Sequence, residues 1–388
     1  MNYKKLLENQ RDYVIKLRRH FHANPEPSWS EFKTSMRVKE ELQSMGIPYI
    51  EMAGTGVVGT IVGELPGKTI ALRADMDALE LTEINDIEYK SQNPGVMHAC
   101  GHDGHTAMLL GAANALNEIK DSIRGTIKLI FQPAEEMVQG AKKMIDEGVL
   151  EGVDGLFGLH LWSGLETGKI SVDSGPRMAS GDHVIIDIIG KGGHGSLPHQ
   201  GVDAVVVASS LVMNTQAIIS RETNPLDTVV FSIGSLRSGT RFNVIADKAH
   251  IEGTVRCFDP EVRSQLPIII ERYVQNTANI YGAKAKFQYI LGTPPTINDT
   301  KCCSLAKETV LNMLGEEGLV KLDKTTGSED MAYYLEKIPG LIAFVGSGNS
   351  EKKADFPHHH PRFNLDEDSL VIGTELYFRF AIDFLEKF

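Results

Sequence analysis

The sequence predicts an α/β protein, with a mixed, mostly parallel sheet covered by helices and an inserted ferredoxin-like α+β domain. Three observations lead to this fold class. Strands rich in Val, Ile and Leu alternate with helices over the first 181 residues, which is typical of a parallel sheet buried on both faces. Residues 182–290 instead follow a βαββαβ order. A chain of 388 residues also exceeds the roughly 250 to 300 residues at which single cores stop growing.

The first part of the chain predicts an initial helix and then strands and helices in alternation. Leu7, Val14, Leu17 and Phe21 recur at helical spacing, and the two prolines of "NPEP" end this helix. The elements that follow are strands at "GVVGTIVGEL" and "KTIALRADMDAL", a helix over 102–119, a strand at "GTIKLIFQPAEE", a helix at "GAKKMIDEGVL" and a strand at "GLFGLHLW".

The inserted region has its own order of elements. They are a strand at "HVIIDIIGKG", a helix at "DAVVVASSLVMNTQAIIS", strands at "DTVVFSIGSL" and "KAHIEGTVRCF", a helix at "EVRSQLPIIIERYVQNTANIYG" and a strand at "AKFQYILG". The first pattern resumes after "TPPT" with helices over 301–314 and at "GSEDMAYYLEKI", a strand at "GLIAFVGSG" and a helix over 369–388. We therefore expect a discontinuous catalytic-type domain, residues 1–181 and 291–388, and an inserted domain over 182–290.

Composition argues against several kinds of partner. The chain has 39 Lys and Arg against 51 Asp and Glu, and no basic cluster exceeds two residues, so we expect no nucleic-acid and no membrane partner. We find no apolar run of transmembrane length and no secretory signal. Four cysteines in so long a chain do not form a disulfide framework, which predicts a cytoplasmic protein.

Polar residues follow the predicted strands at several points. Asp75 and Asp77 follow one strand, Glu135 and Glu136 the next, and His160 lies near the end of a third. The segment "HACGHD" begins a helix, and "FPHHHPRF" follows the last strand. Ligands bind at the carboxyl ends of strands in open α/β sheets, so these residues are expected at one rim. Carboxylates, imidazoles and a thiolate are good ligands for Zn²⁺ or a related divalent ion.

The adjacent glutamates indicate hydrolysis. In an extended segment neighbouring side chains point to opposite sides, so one glutamate can bind a metal while the other accepts a proton from water. One rival interpretation is a thiol nucleophile with a histidine base. It does not explain why the two glutamates and His160 lie at the ends of predicted strands. The other is a set of polar residues that only surround a buried turn.

These motifs, taken together and in order, resemble a known family. The motifs are "LRADMDAL", "HACGHDGHTAMLLGAA", "FQPAEE", "GLHLW", "GKGGHGSLPHQGVDA", "FNVIAD", "GTVRCF", "GSEDMAYY" and "HHPRF". They are similar to those of the metal-dependent aminoacylases, which include hippurate hydrolases and auxin-conjugate hydrolases, a branch of the dinuclear zinc aminoacylase and carboxypeptidase superfamily. The resemblance covers essentially the whole chain. It implies a zinc-peptidase-like catalytic domain that hydrolyses N-acyl-L-amino acids.

The resemblance also implies a metal site. Its ligands would be Cys100, His102, Glu136, His160 and His359. These would hold two divalent ions with His102 between them, zinc being favoured and manganese or cobalt remaining possible. His359 is chosen from the phase of "HHPRF", and His358 and His360 remain alternatives.

Further roles follow from the same resemblance. Glu135 would be the general base, and Asp77 would orient a ligand from behind the metal site. His194 of the inserted domain would reach the active site of the partner in a homodimer and stabilise the oxyanion, unless it is a polar residue of a glycine-rich turn.

The remaining implied residues concern the substrate. Asn243 and Arg256 would bind its carboxylate, although Arg256 could instead form a salt bridge at a strand edge. Gly327 would present main-chain N–H groups, with a helix N-cap at Ser328 as the alternative. The alternative functions are a metallo-dipeptidase or carboxypeptidase, and a catalytically silent metal-binding scaffold.

Overall fold

A computed structural model describes residues 3–388, apart from the side chain of Lys4. The helices in this part of the chain are α1 (Tyr3–Glu8), α2 (Arg11–Ala23), α3 (Phe32–Ser44), α4 (His102–Glu118), α5 (Gly140–Asp146), α6 (Ala204–Ala217), α7 (Pro260–Ile280), α8 (Thr300–Leu314), α9 (Ala332–Leu335) and α10 (Asp368–Lys387). The strands are β1 (Tyr49–Met52), β2 (Gly56–Val62), β3 (Leu65–Asp75), β4 (Arg124–Gln132), β5 (Gly155–Glu166), β6 (Ile170–Ser171), β7 (Gly175–Met178), β8 (Gly181–Ile189), β9 (Gly193–His194), β10 (Val229–Ser238), β11 (Val244–Ile245), β12 (Lys248–Cys257), β13 (Lys284–Thr293), β14 (Thr296–Asn298) and β15 (Gly340–Gly348).

The first of two compact units is built on a seven-stranded sheet. The unit runs to Gly175 and continues through Ile297–Asp323 and Asp330–Phe388. Its strand order is β1-β2-β4-β3-β5-β15-β6, in which β4, β3, β5 and β15 are parallel while β1, β2 and β6 run antiparallel to their neighbours. This mixed, mostly parallel sheet confirms the predicted fold class.

Burial explains why the central strands of this sheet read as continuous apolar runs. All positions of β15 are buried, as expected for a parallel strand with a covered layer on each side. Helix α4 is buried along nearly its whole length and packs against β3, α2 and α10. Gly104 allows this close approach, because a Cβ atom there would lie 2.6 Å from the side chain of Leu161 on β5.

The second compact unit comprises Pro176–Thr296 and Lys324–Glu329. Its four-stranded antiparallel sheet has the order β10-β12-β8-β13, and α6 and α7 pack together and against its strands. Buried and half-buried residues alternate along β8, as expected for a sheet with helices on one face. The βαββαβ order is ferredoxin-like. This unit extends a few residues beyond the predicted bounds 182–290 and also includes Lys324–Glu329.

The segment Ala204–Glu222 corrects the expectation that no run reaches transmembrane length. It has a mean hydropathy of 1.2 over 18 residues and is long and apolar enough to cross a membrane by length and composition alone. That is weak evidence, because a core helix passes the same test. In this unit Val207, Ala208 and Leu211 of the segment belong to the buried core.

Three other local features differ from the sequence-based expectation. The predicted first helix is divided between α1 and α2, with a turn at residues 9–10. Helix α3 and strand β1 were not predicted. Helix α3 is amphipathic but short, with only Thr34, Ser35, Val38 and Leu42 buried, so its apolar stripe is weak in the sequence.

Candidate metal centre

The parallel strands deliver polar side chains to one edge of the first unit's sheet. Asp75 ends β3 and is paired with Gln132 at the end of β4. Asp77 follows two residues later, and the Glu135–Glu136 pair lies just after β4. His160 was expected near the end of its strand but is central in β5, which runs on to Glu166, and it is paired with Phe344 of β15. Register therefore brings the predicted carboxylates and one imidazole together, as the rule for ligand sites in α/β sheets predicts.

The start of α4 contributes Cys100 and His102 on either side of a left-handed residue. Gly101 has φ +97° and ends the loop before the helix, a conformation that residues with a Cβ rarely adopt. The His102 Nδ1–H group donates to the main-chain oxygen of Asp77 at 2.9 Å. This bond leaves the lone pair of Nε2 available, which is the tautomer needed for a metal ligand. Nε2 is buried and has no hydrogen-bond partner among the described residues.

A main-chain hydrogen bond also sets the tautomer of His160, with the proton on Nδ1. Its Nδ1–H group donates to the main-chain oxygen of Leu161 at 2.7 Å, so Nε2 is the unprotonated nitrogen. That nitrogen lies 3.5 Å from Cys100 Sγ. Two imidazole nitrogens and a sulfur atom thus face one another with their lone pairs available.

The donor atoms form overlapping groups in which every ligand atom lies within 4.8 Å of the others. These groups are Cys100 with His102 and His160, Cys100 with Glu136 and His359, and His102 with Glu135 and Glu136. All five predicted ligands are covered by the first two groups, and Cys100 is common to both. His102 is likewise common to the first and third groups, so both Cys100 and His102 lie where two sets of donors meet.

The two glutamates lie in a turn, which corrects the expectation of an extended segment. Ala134 and Val138 flank the pair, each with φ of +51°. The Val138 N–H group donates to the main-chain oxygen of Glu135 at 2.6 Å, which closes the turn. Both carboxylates consequently approach the same atom. Glu135 Oε2 is 3.9 Å and Glu136 Oε1 is 4.0 Å from His102 Nε2. Only Glu136 is also grouped with Cys100 and His359, so Glu135 is the carboxylate outside the two groups of predicted ligands.

Of the three consecutive histidines, His359 has the geometry of a ligand. Its Nε2 atom lies 3.4 Å from Glu136 Oε1, and its main chain is left-handed with φ +62°. The Nε2 atom of His358 instead accepts the Ser163 N–H group at 3.3 Å, and its ring packs on Trp162 and His160. His360 stacks on the ring of Phe356.

Electrostatics at this site favour a bound cation. Burial alone would lower the pKa of His102, but Asp75 and Cys100 outweigh it and hold this pKa well above its ordinary value. Hydrogen bonds with Cys100 and Glu136 raise the pKa of His359 to about 10. Burial and the Glu136 carboxyl raise the pKa of the Cys100 thiol. The two histidine shifts reflect surrounding negative charge, which a divalent ion would neutralise, so the donor set fits a metal.

A network of buried ion pairs and hydrogen bonds lies next to the donor groups, and the sequence analysis did not predict it. Arg73 forms ion pairs with Asp75 at 2.8 Å and with Asp330 at 2.9 Å. Asp75 accepts the His105 Nδ1–H group at 2.6 Å, and His105 Nε2 accepts the Leu161 N–H group at 2.9 Å. His105 therefore fixes strand β5 beside His160. A usable signal was the charged Arg73 within the apolar run "IALRAD".

The remaining predicted residues belong to the second unit. His194, on β9, is exposed and is paired with Val244, the residue after Asn243, while the Asn243 oxygen accepts the Gly195 N–H group at 2.9 Å. Arg256 donates to Ser328 Oγ at 3.0 Å.

Gly327, next to Ser328, accepts the Ala179 N–H group at 2.9 Å through its main-chain oxygen. No helix begins at Ser328 in the described chain, since α9 starts only at Ala332. The structure thus brings His194 close to Asn243, and Arg256 close to Gly327.

Comparison with known proteins finds relatives along nearly the whole chain. Residues 71–383 match the model of peptidase family M20/M25/M40. The N-acyl-L-amino acid amidohydrolase of Geobacillus stearothermophilus is 46% identical over 76% of this chain and 80% of its own length. Thermostable carboxypeptidase 2 of Saccharolobus solfataricus is 42% identical over 97% of this chain and 96% of its own length. The crystal structure of a dinuclear metal-binding M20 peptidase from Bacillus subtilis is 35% identical and has a TM-score of 0.88, covering 98% of this chain and 100% of that one.

Proposed function

The chain belongs to peptidase family M20/M25/M40, and we propose that it hydrolyses the amide bond of N-acyl-L-amino acids to a carboxylic acid and a free amino acid. The observation that carries this proposal is that two neighbouring carboxylates have different surroundings. Glu136 is grouped with Cys100 and His359, while Glu135 is not, although both carboxylates lie within 4.0 Å of His102 Nε2. A donor set with a second carboxylate just outside the two ligand groups is suited to activating water for hydrolysis.

The proposed ligands are those that the geometry brings together. Cys100, His102 and His160 would hold one divalent ion, and Cys100, Glu136 and His359 a second. Thiolate and imidazole donors favour zinc, with manganese or cobalt as alternatives. When bound, such a pair of ions polarises the acyl carbonyl and makes water a better nucleophile at neutral pH.

The residues of the chain would carry the proton transfers. Glu135 accepts a proton from the attacking water and delivers it to the leaving amine, as expected for a buried carboxylate within reach of the site. Asp77, fully buried behind the ligands, holds the His102 ring and the glutamate turn in place.

The second unit would supply substrate contacts. We propose that His194 stabilises the oxyanion in the active site of a partner subunit and that the inserted domain forms the homodimer. Exposure of the His194 ring supports a role outside its own unit. Arg256 and Asn243 would bind the substrate carboxylate, for which a guanidinium is well suited, and Gly327 would offer its N–H group.

We also propose that the protein is cytoplasmic and that it binds neither nucleic acid nor membranes. Its four cysteines are all free, which suits a reducing compartment. A net charge of −12 supports the same view, because polyanions would be repelled.

A substrate panel tests the proposed function. Purified, metal-quantified protein is incubated with N-acetyl, N-benzoyl and indole-acetyl amino acids and with dipeptides, with and without a chelator, and products are identified by mass spectrometry. We expect chelator-sensitive release of amino acids from the acyl substrates. Cleavage of peptides alone would favour the carboxypeptidase alternative, which the Saccharolobus relative supports. Bound metal without any hydrolysis would favour a silent scaffold.

A further inference from the structure

The turn that carries the two glutamates needs external support. Ala134 and Val138 are both in the left-handed region with φ of +51°, and neither is a glycine. Residues with a Cβ atom are strained in this conformation and persist in it only when their surroundings hold them. The hydrogen bonds within the turn include a long one, from the Gln139 N–H group to the Ala134 oxygen at 3.4 Å.

Glu31 holds the first of these left-handed residues. Its side chain is fully buried, and Oε1 accepts the N–H group of Ala134 at 2.9 Å and that of Trp29 at 3.0 Å. Its other oxygen accepts the hydroxyl of Thr55 at 2.7 Å. Glu31 therefore fixes the main chain one residue before Glu135, although it is distant from it in sequence.

The neighbours of Glu31 contact the same region. The Ser28 hydroxyl donates to Asp77 Oδ2 at 2.6 Å, and that carboxylate in turn accepts the N–H groups of Glu135 and Glu136. The Trp29 indole N–H group donates to Gln139 Oε1 at 3.3 Å, at the far end of the turn. The segment Ser28–Glu31 thus contacts the glutamate turn at both ends and Asp77 beneath it.

We propose that Glu31 is a positioning residue for hydrolysis, which orients Glu135 and Glu136 by holding Ala134 in its left-handed conformation. This inference rests on the proposed roles of the two glutamates. Because the three Glu31 contacts have neutral donors, geometry rather than charge is the property that matters. A glutamine preserves that geometry, since its oxygen can accept both N–H groups while its amide nitrogen donates to Thr55. Alanine removes the acceptor, and aspartate is one methylene too short to reach it.

The test compares three substitutions with a matched control. Glu31→Ala, Glu31→Asp and Glu31→Gln are measured beside Glu26→Ala, which removes another carboxylate of the same loop. Among the described residues, the side-chain hydrogen bonds of Glu26 go to Lys33 and Thr34 at the start of α3 and not to the glutamate turn. For each protein, Tm, kcat and KM are measured, together with the visible absorption spectrum of the cobalt-loaded form.

We expect Glu31→Ala and Glu31→Asp to lower kcat about ten- to hundredfold with little change in KM, and to alter the cobalt spectrum. Glu31→Gln should stay within about threefold of the wild type, and Glu26→Ala should lower Tm without changing kcat or the spectrum. Equal profiles for Glu31→Ala and Glu26→Ala, or an unchanged cobalt spectrum in Glu31→Ala, would overturn the inference. If the wild type hydrolyses no substrate, the proposed function fails, and the cobalt spectra alone decide the positioning role of Glu31.

Discussion

The carboxylate of Asp77 accepts the main-chain N–H group of Glu135 at 3.1 Å. Its other oxygen accepts the N–H group of Glu136 at 3.0 Å and the hydroxyl of Ser28 at 2.6 Å. The side chain also lies 3.3 Å from His102 Nδ1. One buried carboxylate therefore sets the positions of the proposed base and of two proposed ligands.

Asp77→Asn is expected to lower metal affinity and kcat by about ten- to hundredfold, because an amide cannot accept hydrogen bonds at both ends. Chelator competition and steady-state kinetics measure the two effects. Ser28→Ala, which removes one donor and leaves the carboxylate, is the control and should have a much smaller effect. An Asn variant with wild-type metal affinity and kcat would contradict this assignment.

The two glutamates should respond differently to the same substitution. Glu135→Gln is expected to reduce kcat by several orders of magnitude while bound metal stays near the wild-type level, since it removes only the proposed base. Glu136→Gln should lose metal first, because this carboxylate is grouped with Cys100 and His359. Elemental analysis of dialysed protein beside kinetics separates the two cases. Loss of metal in Glu135→Gln would show that the roles are exchanged.

His194 can be tested by mixing inactive variants. His194→Ala lacks the proposed oxyanion contact, a kind of interaction worth roughly 3 to 4 kcal/mol, and should be nearly inactive. Mixed with Glu135→Gln it should recover part of the activity, because a hybrid dimer would contain one complete site. Each variant mixed with wild type controls for exchange of subunits. Absence of recovery despite demonstrated exchange would argue against a contribution from the partner subunit.

The buried ion pair of Arg18 and Asp103 should be important for stability. The two side chains have no exposed surface, and Arg18 Nε donates to Asp103 Oδ2 at 2.9 Å. Asp103→Asn removes the fully buried counter-charge of Arg18 and leaves only the partly exposed Glu367, at 3.6 Å, so it is expected to cost about 3 to 5 kcal/mol. Urea unfolding followed by circular dichroism measures the difference. Lys387→Gln breaks the exposed pair with Glu308 and should have a far smaller effect.

The stability contributed by Asp366 should depend on pH. Burial would raise the pKa of Asp366, but hydrogen bonds from Lys352 at 2.6 Å and Asn349 at 2.8 Å outweigh it and lower the pKa below its ordinary value. A carboxyl with a lowered folded-state pKa stabilises the protein above its unfolded-state pKa of about 3.9, and this contribution is lost as the pH falls through the folded-state value.

Asp366→Asn should therefore have a lower Tm than the wild type at pH 7, with the gap closing as the pH falls below about 4. Thermal unfolding over pH 3 to 8 measures this. Lys352→Met should show the same convergence, since it removes the cation from the other side of the pair. A gap that stays constant over this range would mean that ionisation of Asp366 does not contribute to stability.

Much of the site could be predicted because most of the donors follow a recognisable strand or begin a helix. Hydrophobic periodicity was enough to place Asp77 after β3, whereas His160 lies at the centre of β5 because that strand runs on to Glu166. The turn at Ala134–Val138 could not be predicted, because non-glycine residues rarely adopt positive φ and the neighbouring sequence contains no signal for this conformation at Ala134 or Val138. Glu31 was missed for a related reason, since its partner Ala134 lies far along the chain.

The sequence by itself determined the layers of the fold, the order of the strands along the chain and the chemical types of the donors, because these depend on local apolar patterns and on residue identity. Tertiary structure decided which donors share a position. It brought Cys100 into two donor groups, placed His359 beside Glu136 and left Glu135 outside the group of Cys100, Glu136 and His359. These distinctions depend on distances of a few ångströms between segments that are far apart in sequence. Such distances arise only when the strands are in register and buried partners such as Asp77 and Glu31 hold the loops between them.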